Sequence, residues 1–253
     1  MILAMIFDLD GTLVKTEWLK SLSYAKAIQL LSPKPVTTED VQQVFTEVIG
    51  RSREVVASTL VERFGLQEAT RERMADTQAQ QPWQVLTDVR LKIYSEMLAN
   101  AKVLRASQWP HNVELLRIAR RTGCRTALAS MSSREQVLYI LQVIGLANQF
   151  DVILTREDVE CPKPDPEIYL QAARRLTLRP EQCLVIEDSP VGVQAALAAG
   201  MNCIAVTSPF TRQGLHVQNL LPSEWIVDDP ETLPNVVARL IDDQNRDLHS
   251  IHA

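Results

Sequence analysis

Two carboxylates one residue apart, Asp8 and Asp10, follow the apolar run 2–7 and precede Gly11 and Thr12. A continuous apolar run of this kind is typical of a buried parallel strand, which places both acids at its carboxyl end. Glycine allows the next turn to face backbone N–H groups toward an anion. The two carboxylates repel each other, and a hard cation such as Mg²⁺ offsets that repulsion while keeping positions for a phosphate. The segment therefore predicts a metal-dependent phosphate site with a carboxylate nucleophile.

A D-x-D pair alone is a weak signal, because most such pairs are solvated turn residues. The interpretation depends on the elements that would bring further groups to the same place. From about residue 125 onward, short apolar strands alternate with amphipathic helices, which predicts a doubly wound, Rossmann-like parallel sheet of the α/β class. The predicted strands are 126–130, 151–154, 183–187, 202–206 and a weaker 225–227, and the predicted helices between them are 133–144, 166–175 and 190–199. Ligands bind beyond the carboxyl ends of strands in such sheets.

Between residues 17 and 100 the pattern contains no strand-like run. The segments 18–31, 38–49, 52–64 and 86–99, with a Gln-rich stretch around 76–84, all have helical patterns. A helical block of this length is too long for a simple crossover connection. We therefore expect a separate all-helical cap domain at 17–100, inserted into an α/β core domain formed by 1–16 and 101–253.

The end of the second predicted strand carries a hydroxyl. Ser130, with the N–H groups of Met131 and Ser132 before the next helix, would form an anion cradle. The alternative is that this serine only caps the helix.

Two further segments add charge. Glu187 and Asp188 end the predicted strand 183–187, which suggests a cation shared with the N-terminal acids; the alternative is that Asp188 caps the following helix. Lys163 lies between prolines that restrict its backbone, as suits a lysine held toward a phosphate; the alternative is a rigid surface turn.

Composition excludes several functional classes. The 253-residue chain has a net charge of −5 and a pI near 5.5, which argues against nucleic-acid binding. The four cysteines show no C-x-x-C spacing, so reduced thiols in a cytoplasmic protein are expected. No run approaches the length of a membrane span, and the N-terminus enters the first strand without a basic leader, so we expect no membrane partner.

Together these residues resemble the haloacid dehalogenase superfamily, and within it the phosphatase and β-phosphoglucomutase branch, which carries a helical cap in its first loop. The four motifs occur in the family's order and cover essentially the whole chain. They are Asp8-Leu9-Asp10-Gly11-Thr12, Ser130, Lys163 in K-P-x-P, and Glu187-Asp188 followed by Ser189-Pro190-Val191-Gly192.

The resemblance implies a role for each position. Asp8 would be the nucleophile that forms an aspartyl-phosphate, and Asp10 the general acid and then the base. Ser130 and Lys163 would bind the oxygens of the transferring phosphoryl group. The implied Mg²⁺ ligands are Asp8, the backbone carbonyl of Asp10, Asp188, and Glu187 either directly or through water.

The resemblance also implies a specificity loop in the cap. The segment Gly50-Arg51-Ser52-Arg53 resembles that loop, and its arginines would meet a second anionic group on the substrate. The alternative is an ordinary helix start capped by Ser52. The predicted substrate-binding residues are thus Gly50, Arg51, Ser52, Arg53, Met131 and Ser132, with Arg90, Lys92 and Tyr94 as further cap candidates.

Three positions depart from the family pattern. Lys15 stands where an aspartate is usual, Lys20 where a histidine is frequent, and Trp109-Pro110-His111 replaces a P-G pair. The missing histidine counts against a mutase. The second carboxylate of Asp10 counts against the dehalogenase branch.

The expected activity is a Mg²⁺-dependent phosphatase that hydrolyses a small phosphorylated metabolite, a sugar phosphate, through an aspartyl-phosphate. A phosphosugar mutase is the alternative, which Ser52-Arg53-Glu54 keeps open. A phospho-accepting receiver module and an inactive binding protein are rivals from other classes. The identity of the substrate and the oligomeric state stay open at this stage.

Overall fold

The computed structural model describes residues 1–48, 53–75 and 77–250, with the backbone alone for 245–250. The chain divides into two compact units, one formed by Met1–Lys15 and Arg105–Ala253 and the other by Thr16–Leu104. Within the described ranges no helix is long and apolar enough to span a bilayer.

The first unit is built on a six-stranded sheet in which every paired strand is parallel. The strands, in chain order, are β1 Ala4–Phe7, β2 Arg125–Ala129, β3 Val152–Leu154, β4 Cys183–Glu187, β5 Asn202–Val206 and β6 Ile226–Val227. Their order across the sheet is β3-β2-β1-β4-β5-β6, so the direction of winding reverses beside β1. This confirms the predicted α/β class with a doubly wound parallel sheet.

The register of the central strands decides which residues meet beyond the sheet. Phe7, the last residue of β1, pairs with Leu128 of β2 and Ile186 of β4. The next residues along the chain, Asp8 and Glu187 among them, therefore emerge at one level at the carboxyl edge. All four residues of β1 are buried, as its apolar composition requires.

Helices cover this sheet. They are α7 Pro110–Arg121, α8 Arg134–Val143, α9 Glu167–Leu176, α10 Pro190–Ala198, α11 Arg212–Gln218 and α12 Leu233–Ser250. Helix α10 begins as its sequence predicts: the Ser189 side chain accepts a hydrogen bond from the Gly192 N–H, and Pro190 occupies the first turn. Its Ala195 and Ala196 pack with α9 and the sheet in one buried hydrophobic cluster. This packing holds the start of α10 next to the end of β4.

The second unit is helical. Its helices are α1 Thr16–Leu31, α2 Thr38–Val48, α3 Arg53–Arg63, α4 Gln67–Met74 and α5 Pro82–Ala99, and α6 Ala101–Ala106 contains residues of both units. The predicted helix over the Gln-rich stretch 76–84 is wrong for the described residues 77–81, which form bends. A helix begins only at Pro82, where Gln81 and Gln84 form a capping box. The prediction also missed α4, whose single buried residue, Thr70, gives almost no apolar periodicity.

The predicted ends of β2, β3 and β6 differ from the observed ones by a residue. Ser130 lies just beyond β2, and Trp225 belongs to a short 3₁₀ turn before β6. Asp151 precedes β3, because its carboxylate accepts hydrogen bonds from the Thr126 N–H at 2.8 Å and from Arg120 at 2.9 Å.

Candidate active site

Three carboxylates converge at the carboxyl edge of the sheet. Asp8, Glu187 and Asp188 each present an oxygen, and these atoms lie within 4.8 Å of one another. Asp8 is 6 % exposed, Glu187 1 % and Asp188 3 %. Three buried acids at this separation repel one another strongly, so the arrangement requires positive charge.

Lys163 supplies one positive charge from the loop before α9. Its ammonium donates to Asp8 Oδ1 at 2.8 Å, to Glu187 Oε1 at 2.7 Å and to the carbonyl of Ala129 at 3.0 Å. The Tyr169 ring lies 4.8 Å from the same nitrogen. The lysine thus ties together the ends of β1, β2 and β4.

Glu187 is the anchor of this network. Its Oε1 accepts from Lys163 and from the Tyr169 hydroxyl at 2.9 Å, while its Oε2 accepts from the Asp188 N–H at 2.9 Å and from the N–H and hydroxyl of Ser189, each at 3.0 Å. A Cβ at Gly192 would lie 1.8 Å from Oε1, so only glycine lets α10 approach this carboxylate. Direct metal coordination by Glu187 stays a prediction, since its oxygens already accept five hydrogen bonds.

The two carboxylates that share Lys163 differ in pKa, because they accept different hydrogen bonds. Burial raises the pKa of Asp8 well above its usual range; Lys163 opposes this, and Glu187 and Asp10 add to it. Burial also opposes ionisation of Glu187, but Lys163, Ser189 and Tyr169 outweigh it and lower the pKa of that group. Burial disfavours the ammonium of Lys163 too, yet the two carboxylates hold its pKa well above the usual value. Of the two carboxylates that share Lys163, Asp8 is therefore the less stabilised as an anion.

Asp10 is held on the other side of β1 by two hydroxyls. Ser132 donates to Asp10 Oδ2 at 2.6 Å and Ser130 donates to the same oxygen at 3.3 Å. Ser130 also accepts from the Ser132 N–H at 3.1 Å. The predicted phosphate cradle thus contacts Asp10 directly, and Met131 lies half-buried against the hydrophobic cluster of the sheet.

The turn after Asp10 brings backbone close to the acids. Gly11 has φ +88°, and a Cβ built on it would lie 2.0 Å from Asp188 Oδ2. The following carbonyl, that of Thr12, accepts a hydrogen bond at 2.6 Å from the buried Asn112 side chain. Glycine is therefore required here on both conformational and steric grounds.

The donor set fits a hard divalent cation. It consists of buried carboxylate oxygens within 4.8 Å of one another, and the positive charge paired with them is that of Lys163. Oxygen-only ligands suit Mg²⁺ or Ca²⁺ better than a soft metal. Asp8 and Asp188 are the side chains best placed to hold such an ion.

The predicted cap residues are only partly described. Gly50, Arg51 and Ser52 lie outside the described residues. Arg53 is the exposed first residue of α3.

The residues that depart from the family pattern contact one another or a near neighbour. The Lys15 ammonium lies 4.6 Å from the centre of the Trp109 ring, and their segments are joined by hydrogen bonds from Lys15 N to Ser107 O and from Trp109 N to Leu13 O. Lys20 forms an ion pair with Glu17 at 2.9 Å. The unusual lysine and the unusual tryptophan thus form one cation–π pair beside the Asp10–Thr12 turn.

Sequence reasoning missed Tyr169 and Asn112. Both look like ordinary core-helix residues, and no local motif marks them. The available signal for Tyr169 was its position six residues after Lys163 on the apolar face of α9, where a buried hydroxyl needs a partner. Asn112 is a buried polar residue in the first turn of α7, a position that suits contact with a loop.

Comparison with known proteins places this geometry in a family. The family model of haloacid dehalogenase-like hydrolases matches residues 2–200. A phosphorylated carbohydrates phosphatase of Thermotoga maritima is 30 % identical over 201 residues, covering 79 % of this chain and 83 % of that protein. The structure of CbbY from Rhodobacter sphaeroides in complex with xylulose-1,5-bisphosphate is 27 % identical, with a TM-score of 0.56 over 84 % of this chain and 89 % of that one.

A β-phosphoglucomutase structure from Clostridium difficile matches 95 % of this chain and 99 % of its own, with a TM-score of 0.61. At 20 % identity it speaks for the fold alone. The family match spans most of the sequence and includes every one of the four motifs, which confirms the predicted resemblance. The chain belongs to the haloacid dehalogenase-like hydrolases.

Proposed function

We propose that this protein is a divalent-metal-dependent phosphatase that hydrolyses a phosphorylated carbohydrate through an aspartyl-phosphate. One observation carries the proposal: a buried carboxylate, Asp8, meets Lys163, Glu187 and Asp188 at the carboxyl edge of the sheet. The family match and the similarity to a phosphorylated carbohydrates phosphatase support it.

The proposed reaction proceeds in two displacements. A carboxylate oxygen of Asp8 attacks phosphorus, the bond to the sugar oxygen breaks, and Asp10 donates its proton to that leaving oxygen. A water molecule then attacks the phosphorus of the aspartyl-phosphate while Asp10 takes its proton. Inorganic phosphate leaves, and Asp8 is restored.

The neighbouring side chains orient these groups. The ammonium of Lys163 fixes the rotamer of Asp8 and offers positive charge to the phosphoryl oxygens. The hydroxyls of Ser130 and Ser132 both contact Asp10 Oδ2, which leaves Oδ1 as the oxygen that exchanges a proton. The low pKa of Glu187 keeps it ionised as the fixed partner of the lysine.

A bound Mg²⁺ would be held by Asp8 and Asp188, with Glu187 and the Asp10 carbonyl as the further predicted ligands. Such an ion supplies charge neutralisation for the phosphoryl oxygens. Lys163 alone cannot offset the three carboxylates, which is why the proposal includes a metal.

The substrate class is proposed from the relatives. One relative is named for phosphorylated carbohydrates, and another was solved with a sugar bisphosphate. The departures at Lys15, Lys20 and Trp109 are expected to set the preference within that class.

The test is release of inorganic phosphate from a panel of sugar phosphates and from p-nitrophenyl phosphate, with Mg²⁺ and with EDTA. We expect turnover with Mg²⁺ only, and its loss by about 10³-fold or more in Asp8→Asn, since removing a covalent nucleophile has effects of that order. The matched control is Asp88→Asn, which removes one exposed carboxylate from α5 and should leave the rate unchanged. Full activity in Asp8→Asn would overturn the mechanism.

A separate assay distinguishes hydrolysis from isomerisation. The protein is incubated with β-glucose 1-phosphate and a catalytic amount of the bisphosphate. Phosphate release supports the phosphatase, whereas glucose 6-phosphate without release would make the protein a mutase.

A further inference from the structure

The helical unit contains a buried arginine that has no hydrogen-bond acceptor among the described residues. Arg90 lies on α5 and is 7 % exposed. Its guanidinium lies between two aromatic rings, 5.0 Å from the centre of Tyr24 and 4.5 Å from the centre of Tyr94. Within the described part of the chain no carboxylate or carbonyl hydrogen-bonds this group, and its Nε is wholly buried without a partner.

A buried guanidinium in this state is unusual. It carries five N–H donors and a charge that it does not lose in proteins, so burial without acceptors is strongly unfavourable. The two tyrosine faces attract the cation but accept none of the in-plane N–H groups. The in-plane N–H groups thus lack an acceptor among the described residues, and a planar or tetrahedral oxyanion is the kind of group that would supply one.

The surrounding charge is positive. Burial lowers the pKa of Arg90 and Arg53 lowers it further, which places a second guanidinium within range of its field. Glu17 is the acidic residue that acts in the opposite sense, but its carboxylate is already paired with Lys20 at 2.9 Å and accepts from Thr16 at 2.8 Å. The region therefore has an excess of cations that an anion would neutralise.

A hydroxyl donor lies one turn away. Thr87 precedes Arg90 by three residues on α5, so the two residues share a face of the helix. Its Oγ1 is buried and has no hydrogen-bond partner among the described residues. An arginine and a threonine on one face offer the kinds of donor that phosphate and sulfate sites use.

We propose that the helical unit binds an oxyanion of the phosphate or carboxylate class at Arg90, with Thr87 as a second donor and the rings of Tyr24 and Tyr94 as walls. The guanidinium donates N–H groups to the oxyanion, which neutralises the excess of positive charge. The ligand is a free oxyanion from solution, so the site does not rest on the proposed function.

Sodium sulfate is the probe, because it resembles phosphate and is not hydrolysed. In the full chain we expect the Nε–Hε signal of Arg90 in ¹H–¹⁵N spectra, assigned by its loss in Arg90→Met, to shift saturably with sulfate. We also expect sulfate at about one hundred times its Kd to raise the unfolding midpoint by about 5 °C more in the parent than in Arg90→Met. Sodium chloride at equal ionic strength controls for screening.

Two variants separate binding from structure. Arg90→Met should retain or raise the midpoint measured without sulfate, because a buried cation lacking acceptors is replaced by an apolar side chain. Arg71→Gln removes an exposed arginine of the same unit and should respond to sulfate like the parent. The catalytic carboxylates and Lys163 are the same in all variants, so the difference in response isolates Arg90.

An unmoved Arg90 signal, or an equal sulfate response in Arg90→Met and the parent, would overturn the proposal. If Arg90→Met does not fold, Arg90→Lys retains the charge without the planar fork and should show a weakened response. A lysine variant that responds like the parent would also contradict the site.

Kinetics then identify the source of the anion. KM values for sugar phosphates that are the same in Arg90→Lys and the parent, with the sulfate response retained in the parent, assign the site to a free anion. Failure of all turnover would count against the proposed function and leave the sulfate result intact.

Discussion

Replacing Asp8 by asparagine should stabilise the metal-free protein while abolishing its activity. The reason lies in the charges around this carboxylate, which is 6 % exposed. Asp8 faces the oxygens of Glu187 and Asp188 within 4.8 Å, and among the described residues Lys163 is the cation paired with it, at 2.8 Å. Asparagine retains the shape and an acceptor oxygen but removes the negative charge.

The size of the expected change in the free energy of unfolding follows from these distances. At an effective dielectric constant of about 20, each carboxylate pair at 4.8 Å repels by roughly 3.5 kcal/mol, so two such pairs amount to roughly 7 kcal/mol. The attraction between Lys163 and Asp8 at 2.8 Å offsets roughly 6 kcal/mol of this repulsion. With the desolvation of a buried charge added, we expect Asp8→Asn to raise the free energy of unfolding by about 1–3 kcal/mol without metal.

The pH dependence has a definite sign. Burial and the neighbouring carboxylates raise the pKa of Asp8 in the folded state, so the native protein holds this proton more tightly than the unfolded chain. Stability from this group is present below the unfolded pKa of about 4 and is lost as pH rises toward the folded pKa. The difference in unfolding free energy between Asp8→Asn and the parent should therefore be small near pH 4 and should grow toward neutral pH.

Urea denaturation in EDTA and in excess Mg²⁺ tests this reasoning. In EDTA the variant should be the more stable protein, and Mg²⁺ should raise the stability of the parent more than that of the variant. Asp88→Asn, an exposed carboxylate, should differ from the parent by no more than about 0.5 kcal/mol in either condition. An Asp8→Asn variant that is less stable than the parent in EDTA would refute the reasoning.

Further predictions concern the residues that surround this cluster. Tyr169→Phe removes the 2.9 Å hydrogen bond to Glu187 but keeps the ring, so the free energy of unfolding should fall by about 1 kcal/mol in urea titrations. Gly11→Ala should weaken Mg²⁺ binding at least about tenfold by calorimetry, because its Cβ would lie 2.0 Å from Asp188 Oδ2. Asp158→Asn should lower the free energy of unfolding by about 1 kcal/mol at pH 7. Burial opposes ionisation of Asp158, but hydrogen bonds and two arginines outweigh it and lower the pKa of this group. The stability that Asp158 contributes is therefore lost as pH falls below about 4.

Each of these predictions has its own contrary result. A Tyr169→Phe variant as stable as the parent would show that Glu187 does not need this donor. Gly65→Ala is the control for Gly11→Ala, because it also has a positive φ of 62° but has no atom within 4 Å of the added Cβ. Metal binding that is equally weak in both glycine variants would assign the effect to backbone strain. An Asp158→Asn penalty that persists unchanged at pH 3 would contradict the ionic origin.

Much of the fold could be predicted because its signals are local. Apolar runs followed by acids, hydroxyls or turn residues mark the strands and their carboxyl ends, and the parallel register then places Asp8 level with Glu187. The Gln-rich stretch failed for the converse reason: residues 77–81 have helix-compatible side chains but no apolar face, and Pro82 begins the helix elsewhere. Helix α4, with one buried residue, gave no periodic signal either.

The sequence by itself determined which chemical groups stand at the ends of the strands, since strand ends and turn residues are set by neighbours along the chain. Only the tertiary structure decided how those groups are paired. Lys163 is shared between Asp8 and Glu187, and the Tyr169 hydroxyl donates a further hydrogen bond to Glu187. Arg90 is buried against two rings and has no acceptor in the described part of the chain. Such pairings depend on distances between elements that are far apart in the chain. If one helix were displaced by a turn along its axis, its side chains would face different partners, and no local sequence pattern encodes that position.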